Sequence, residues 1–327
     1  MSHSLLFRGH IYQPSKPFEL EIPRLERENR HIRMLFWLCY MFDKDISLRT
    51  GNPPLLTDVY CDLTPPDNYL DYYTYLPGLD EFFEANDKTN GHPAPHLPGD
   101  LHLSRLKEKV CRLLFSARAL KDNDNQLLLS IRQLDDEMER WRLSIPVSFR
   151  PALFVSQNTS ANISDENLPH TIRRMSLQLD YHHLMTVIHT TVRKCTAEAS
   201  DGIRDLHDVV HSSFDLSLVA SRSTLCCLRF LVSTIAEEAF RFITFYSNTA
   251  CMSLFLNIVI HPLDAQAQLD LELLISAANS MRSIPVHNLT QREIDRVQET
   301  SNFVMRLMWL GTCAVMKAAR EKKHEFS

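Results

Sequence analysis

A short acidic run in the middle of the chain is the group of residues best suited to catalysis. Asp135, Asp136 and Glu139 follow the pattern DDxxE, and on a helix the three carboxylates share one flank. Such clusters hold Mg²⁺ against a diphosphate in helical isoprenoid enzymes. Arginines on either side can neutralise the run, and no second acidic motif of the NDxxSxxxE type follows. We therefore expect the solvated side of an amphipathic helix, and a Mg²⁺-dependent isoprenoid-type enzyme is a remote alternative.

Histidines form the second group with chemical potential. His182, His183 and His189 lie in the segment YHHLMTVIH, where the outer pair is two helical turns apart and too distant for one ion. His207 and His211 have the i,i+4 spacing of metal ligands, but no third ligand or HExxH glutamate accompanies them. We expect packing or capping histidines. No catalytic, cofactor-binding or metal-binding residues are predicted for this chain.

Glycine and cysteine usage excludes further classes of function. The seven glycines are too scattered for GxGxxG or GxxxxGK[ST], so the phosphate-binding loops of Rossmann and P-loop enzymes are absent. The eight cysteines contain no CxxC, and the adjacent pair Cys226 and Cys227 has no second pair at zinc spacing. We predict buried thiols and no structural zinc site within this chain.

Charge and hydropathy limit the partners and the compartment. A formal charge of −5 gives no bulk cationic field for DNA, and the first residues lack a signal-peptide core. Phe242–Ile260 is uncharged and long enough to cross a membrane, yet Ser247, Asn248 and Thr249 at its middle predict a break and a new N-cap. A buried helical hairpin is favoured over a membrane span, and we expect a cytosolic or nuclear protein.

Helical periodicity dominates the elements that must position these residues, so the predicted fold class is all-α. The polar loop at residues 150–168 is the candidate subdomain boundary, and proline-rich loops connect the helices around it. The predicted helices cover about residues 25–48, 103–117, 126–143, 168–194, 205–214, 215–245, 249–260, 266–281 and 290–320. The last of these has a spacing that suits a coiled-coil seam, but a core helix is favoured because the adjacent face is apolar too.

The first helix and the loop after it hold the most specific pattern. Its predicted inward stripe consists of Ile32, Leu35, Phe36, Cys39, Phe42 and Ile46. Asp43 projects close to this stripe, so its carboxylate needs a charge partner or N–H donors. Arg33, Arg49 and the backbone of residues 50–52 are the candidates. We predict that Asp43 clasps the helix to the proline loop, and that Gly51 caps the helix with positive φ.

The run from Glu28 to Pro66 resembles the regulatory "middle homology" domain of fungal zinc binuclear cluster transcription factors. An arginine-rich helix start, Phe-Trp, Tyr, Asp, Ser, Gly-x-Pro-Pro and spaced aspartates recur there in this order. The corresponding signature residues here are Arg33, Phe36, Trp37, Tyr40, Asp43, Ser47, Gly51, Pro53, Pro54, Asp58 and Asp62. Asn52 departs from the family, which usually has arginine before the Pro-Pro pair.

The resemblance implies a multi-helical regulatory domain spanning residues 1–327, entered part-way at its N-terminus. The family's six-cysteine zinc cluster is not in this sequence, so zinc and direct DNA contact are expected only from a module that precedes this region, or from a partner. The resemblance also implies a nuclear location, co-regulators or transcription machinery as partners, and a small-molecule effector; a homodimer stays open, and no membrane is expected. The leading hypothesis is thus an effector- or partner-responsive transcription regulator and not an enzyme. The alternative is an interaction protein that does not bind DNA and competes with full-length relatives.

Overall fold

A computed structural model of the chain describes residues 24–63, 100–147, 149–155, 168–195, 204–234, 236–285, 287 and 289–325. These residues are predominantly helical and contain no β-strand, which confirms the all-α class. The α-helices among them are α1 (Arg24–Thr50), α2 (Leu101–Val110), α3 (Asp124–Ser144), α4 (Leu168–Thr190), α5 (Arg204–Thr234), α6 (Ala236–Ile260), α7 (Ala265–Arg282) and α8 (Gln291–Glu325).

The chain divides into two compact units, Met1–Arg150 and Pro151–Ser327. The first unit holds α1 to α3, and the second holds α4 to α8. Most of the loop predicted as a boundary, residues 156–167, lies outside the described residues, as do the proline-rich residues 64–99.

In the first unit, α1 packs against α2, and α2 packs against α3. The predicted inward stripe of α1 is wrong at four positions, because Leu35, Cys39, Phe42 and Ile46 are exposed, whereas Phe36 is buried and Ile32 is half-buried. The buried face is rotated and partly polar. Its members are Arg33, Phe36, Trp37, Tyr40, Met41, Lys44 and Ser47.

A buried aspartate fixes the start of α2 and its contact with α3. Asp100 is the N-cap of α2, and its Oδ1 accepts a hydrogen bond of 2.7 Å from the Leu103 N–H. The same oxygen accepts a bond of 2.9 Å from Nε1 of Trp141 on α3. The predicted helix over residues 103–117 instead ends earlier, since α2 passes into a π-helical turn, Cys111–Phe115.

The second unit has its own apolar core, in which α5 contacts α4 and α6, while α8 contacts α6 and α7. Two predicted helix breaks are wrong. Helix α5 continues through Phe214 and Asp215, and α6 continues through residues 247–249. Ser247 donates to the carbonyl of Ile243 at 2.6 Å, so its hydroxyl is satisfied within the helix instead of capping a new one.

Two segments of the second unit are long and apolar enough to cross a membrane, Val210–Ser233 and Phe242–Ile260. Within these segments 61% and 50% of the most apolar window is buried inside the protein. Their buried residues include Leu231 in α5 and Cys251 in α6, both of which belong to the apolar core. This packing is that of core helices.

Helix α8 begins at a reciprocal cap and packs along one side. The Thr290 N–H donates to Glu293 Oε2 at 2.9 Å, which is half of a capping box. Val297, Val304 and Gly311 are buried along one side of the helix, as expected of the predicted core helix. Helix α8 is thus a core helix of the second unit.

Candidate functional site

The signature residues of the first unit occupy three kinds of position. Those on the inward face of α1 are buried: Arg33, Phe36, Trp37, Tyr40 and Ser47. Those at the end of α1 and in the next turn are half-buried or exposed: Asp43, Gly51, Pro53 and Pro54. The last two, Asp58 and Asp62, are exposed and line a cleft.

Asp43 fastens α1 to the loop that follows it. Its Oδ1 accepts a hydrogen bond of 3.0 Å from the Leu55 N–H, and its Oδ2 accepts one of 3.0 Å from Leu56. Burial alone would raise the pKa of Asp43, but these bonds and that from Lys44 outweigh it and hold the pKa below its usual value. The predicted clasp therefore exists.

The donors of this clasp differ from those predicted, because the backbone near the end of α1 is already used. The Gly51 N–H donates to the Ser47 carbonyl, and the Asn52 N–H donates to the Thr50 hydroxyl. The carboxylate is instead bound by the backbone of residues 55 and 56 and by Lys44.

Lys44 is fully buried at the centre of the site, and the sequence analysis did not single it out. Its Nζ lies 2.8 Å from Asp43 Oδ2 and 3.3 Å from Glu108 Oε2 on α2. It also donates to the Leu56 carbonyl and lies 4.3 Å from the centre of the Tyr40 ring. One ammonium thus joins α1, the loop and α2, with two carboxylates as its charge partners.

Tyr40 completes this buried network. Its hydroxyl donates to Glu108 Oε2 at 2.9 Å. Burial, together with the neighbouring Glu108 carboxylate, raises the pKa of Tyr40 far above its usual value. Tyr40 therefore stays a neutral donor at all physiological pH values.

Gly51 allows the chain to leave α1 at this point. Its φ is +74°, and its N–H bonds to the Ser47 carbonyl at 2.9 Å, which is the αL C-cap geometry. The predicted positive φ is confirmed. A Cβ at this position would meet no atom within 4 Å, so the need for glycine is conformational and not steric.

A cleft of about 730 Å³ opens beside the buried network. Its lining combines signature residues with one face of α2. The residues that line it are Tyr40, Asp58, Cys61, Asp62, Leu63, Arg105, Glu108, Lys109 and Arg112. The described part of the proline loop thus forms one wall of the cleft.

The lining of the cleft carries charges of both signs, since three cations and the carboxylates of Asp58, Asp62 and Glu108 border it. Arg105 and Lys109 lie on α2 and Arg112 lies in the π-helical turn that follows it, whereas Asp58 and Asp62 lie on the loop. The Arg105 guanidinium donates to the Leu63 carbonyl, and Lys109 pairs with Glu137 of α3. The cleft therefore suits a ligand with both an anionic and a cationic group.

Two glutamates of the acidic segment on α3, Glu137 and Glu139, are engaged in ion pairs. Both carboxylate oxygens of Glu139 accept bonds of 2.7 Å from Arg142, which lower the pKa of Glu139. The side chain of Glu137 pairs with Lys109. Within the described residues no three His, Cys, Asp or Glu side chains are grouped closely enough to hold a metal ion.

The histidines of α4 pack inside the second unit. Nε2 of His182 lies 2.8 Å from the Ala152 carbonyl, and Nδ1 of His189 lies 2.8 Å from the Ser213 hydroxyl. Burial lowers the pKa of His182 to about 4. His183 stacks edge-on against Tyr246. His211 is exposed, and the side chain of His207 lies outside the described part of the chain.

In the described residues these features define a helical domain in which the signature residues Tyr40 and Asp43 join Lys44 and Glu108 in a polar network beside a charged cleft. Residues 1–143 match the sequence model of a protein family described as "fungal specific transcription factor domain". The match includes every signature residue and the whole cleft lining, and it confirms the resemblance drawn from the sequence.

Three curated relatives are similar over most of the chain. An ABC-transporter-regulating transcription factor of Aspergillus oryzae is 27% identical over 87% of this chain, and one of Aspergillus fumigatus is 26% identical over 87%. An uncharacterized transcriptional regulatory protein of Schizosaccharomyces pombe is 24% identical over 80%. The chain spans 30%, 30% and 32% of the lengths of these relatives. No solved structure matches the chain.

Proposed function

We propose that this chain is the regulatory part of a fungal transcription regulator, whose first unit receives a signal and alters transcription. The supporting observation is the family match over residues 1–143, which contain the buried network and the cleft. Transcription factors are not a class of enzyme. We accordingly propose no catalysis, and magnesium-dependent release of diphosphate should be undetectable in both the native chain and Asp135→Asn.

The signal that we propose is a small polar effector with one acidic and one basic group. Its carboxylate or phosphate would face Arg112 in the π-helical turn after α2, and its amine would face Asp58 on the loop, both of which line the cleft. Such a ligand would bind one arrangement of loop and helix better than another and shift the population between them. Partner proteins, among them co-regulators or transcription machinery, would respond to that shift.

The location and the DNA contact of this regulator follow the family. We propose a nuclear protein that reaches DNA through a zinc cluster module outside this sequence or through a partner, as a monomer or a homodimer. The names of the Aspergillus relatives suggest ABC-transporter genes as the first targets to examine.

A tethering experiment tests the regulatory role. The 327-residue chain, fused to a heterologous DNA-binding domain in a fungal host, should raise or lower a reporter relative to the DNA-binding domain alone. A folded, nuclear fusion that leaves the reporter unchanged would contradict the proposal. Repression of an untethered full-length relative by the free chain would instead favour the competitor hypothesis.

A thermal-shift screen tests the effector separately. Zwitterionic metabolites should raise the Tm of the purified chain, and Asp58→Asn or Arg112→Gln should remove the shift. Arg118→Gln is the matched control, because Arg118 is exposed and does not line the cleft. Stabilisation that survives both cleft substitutions would place the ligand elsewhere, while leaving the tethering result intact.

A further inference from the structure

The C-terminal half of α8 exposes apolar side chains on the side away from the core. Gly311 marks the inward direction, since a Cβ there would lie 3.6 Å from side chains of α6 and α7. Trp309 is 62% exposed, Met316 is 51% exposed, and Cys313 is exposed. These three positions follow the i, i+4, i+7 spacing and point about 180° from Gly311.

Cations flank this apolar stripe. Arg306 and Arg320 are exposed and fall on the same side of the helix. Lys317 is also exposed and pairs with Glu321 at 3.8 Å, with both side chains largely in solvent. The two charges of this pair sum to zero, so the positive charge beside the stripe comes from Arg306 and Arg320. The stripe therefore lies in a positive local field.

We propose that this outer face of α8, formed by Arg306, Trp309, Cys313, Met316 and Arg320, docks a partner protein through an amphipathic helix bearing an apolar stripe flanked by Asp and Glu. A stripe with i, i+4, i+7 spacing is the surface that one helix presents to another. An exposed tryptophan next to arginine is a typical anchor of protein interfaces. The docking site belongs to the second unit, so it stands whether or not the cleft of the first unit binds an effector.

The charge and the width of the outer face of α8 favour an acidic amphipathic helix over a second copy of the chain or a membrane. A second copy of the same face would bring the arginines of both copies together, which like-charge repulsion opposes. An anionic membrane would attract the arginines, but the inner side of α8 is packed against α6 and α7. The exposed large apolar side chains of this half of the helix are Trp309, Leu310 and Met316, and the exposed Lys317 lies beside them, whereas interfacial helices insert a broad, continuous apolar face.

Trp309 gives a direct test, because Trp37 and Trp141 are buried. The probe is a synthetic peptide of about 20 residues, long enough to form a helix, with leucines at i, i+4, i+7 and glutamates on their flanks. Titrating it into the whole chain should shift the Trp309 emission to the blue. The same peptide with lysines in place of glutamates should give no shift.

Charge-reversal variants of α8 make the test specific. Arg306→Glu with Arg320→Glu should weaken the peptide at least about tenfold, the change expected for a few exposed charge pairs. Arg292→Glu with Arg296→Glu is the matched control on the exposed N-terminal part of α8 and should bind as the native chain does. Circular dichroism confirms that all variants are folded.

Three outcomes would overturn the proposal. Equal binding of the acidic and basic peptides would remove the charge argument. A blue shift with phosphatidylserine vesicles but not with the acidic peptide would assign the face to a lipid surface. Self-association in sedimentation runs that Trp309→Ala abolishes would assign the face to a second copy.

Discussion

At the scale of single residues, Lys44 holds α1, the loop after it and α2 together in the first unit. A fully buried ammonium is costly unless its charge and its donors are satisfied. Here Asp43 and Glu108 are its charge partners, while the Leu56 carbonyl and the Tyr40 ring complete its surroundings. The signature residues Tyr40 and Asp43 thus surround a lysine that their spacing alone does not reveal.

Replacing Lys44 by methionine should strongly destabilise the first unit. Lys44→Met keeps most of the side-chain volume but leaves the Glu108 carboxylate without its ammonium, so we expect a loss of about 3 kcal/mol in the free energy of unfolding. Urea unfolding measures it. Lys109→Met is the control, because the Lys109–Glu137 pair is partly exposed and should be worth less than about 1 kcal/mol. Equal losses in the two variants would contradict the role of Lys44.

His182 makes the second unit sensitive to acid. Burial lowers its pKa to about 4, below the value of about 6.5 in an unfolded chain. Between these two values the unfolded state binds the proton and the folded state does not, so stability falls as the pH falls from about 6.5 towards 4. The full contribution is roughly 3 kcal/mol.

The measurement for His182 is the free energy of unfolding at pH 7 and at pH 5, followed by far-ultraviolet circular dichroism. His182→Gln, which keeps an N–H donor for the Ala152 carbonyl, should flatten the pH dependence. His211→Gln is the control, since His211 is exposed. An unchanged slope in His182→Gln would show that other groups carry the acid sensitivity.

At the scale of elements, two glycines that look alike in sequence have opposite requirements. Gly51 ends α1 with φ +74° and open space around a Cβ, so its cost on substitution comes from the backbone alone. Gly311 lies inside α8, where a Cβ would make ordinary contacts of 3.6 Å with Ile258 and Leu271. Replacement by alanine should therefore change the stability of the protein in opposite directions at the two positions.

Gly51→Ala should destabilise the protein by about 1 kcal/mol, because an L residue is strained in the left-handed region. Gly311→Ala should stabilise it by up to about 1 kcal/mol, because alanine is the better helix former and its methyl group fits. Thermal unfolding of both variants checks the pair. A loss of stability at both positions would mean that Gly311 is held by its packing after all.

The sequence pattern predicts most helices but assigns the wrong buried face to α1 and places breaks within α5 and α6 that the structure does not have. Helix α1 was predicted within two residues at each end, yet the wrong side was assigned to its core. Hydrophobicity favours Leu35 and Phe42, whereas Lys44 is buried because Glu108, 64 residues later, supplies its charge partner. Partners so far apart in sequence leave no local signal. The Asp43 clasp and the Gly51 cap, whose partners are local, were predictable.

At the scale of the whole molecule, the chain is built from two units that each have a buried core. The family match ends at residue 143, near the end of the first unit. The buried pair of Arg222 with Asp270, with N–O distances of 2.6 and 2.9 Å, lies in the second unit. Substitutions can therefore be directed at either unit alone.

Tryptophan fluorescence should follow the unfolding of the first unit almost exclusively. Trp37 and Trp141 are buried there, whereas Trp309 in the second unit is already largely in solvent. Lys44→Met should lower the midpoint measured by fluorescence. Asp270→Asn should lower the midpoint of circular dichroism, which reports on both units, and should leave the fluorescence midpoint in place. A fluorescence midpoint that moves with Asp270→Asn would contradict this assignment.

The cysteines were predicted to be buried, but Cys39 in the first unit and Cys313 in the second are exposed. Each unit also holds a buried thiol, Cys61 in the first and Cys251 in the second, and burial raises the pKa of both, that of Cys251 to about 12. An alkylating reagent can therefore modify the buried thiol only after its unit has opened. The rate at which the peptide of Cys61 or Cys251 gains the mass of the reagent would give the opening rate of its unit. Both rates would come from one sample of the native chain.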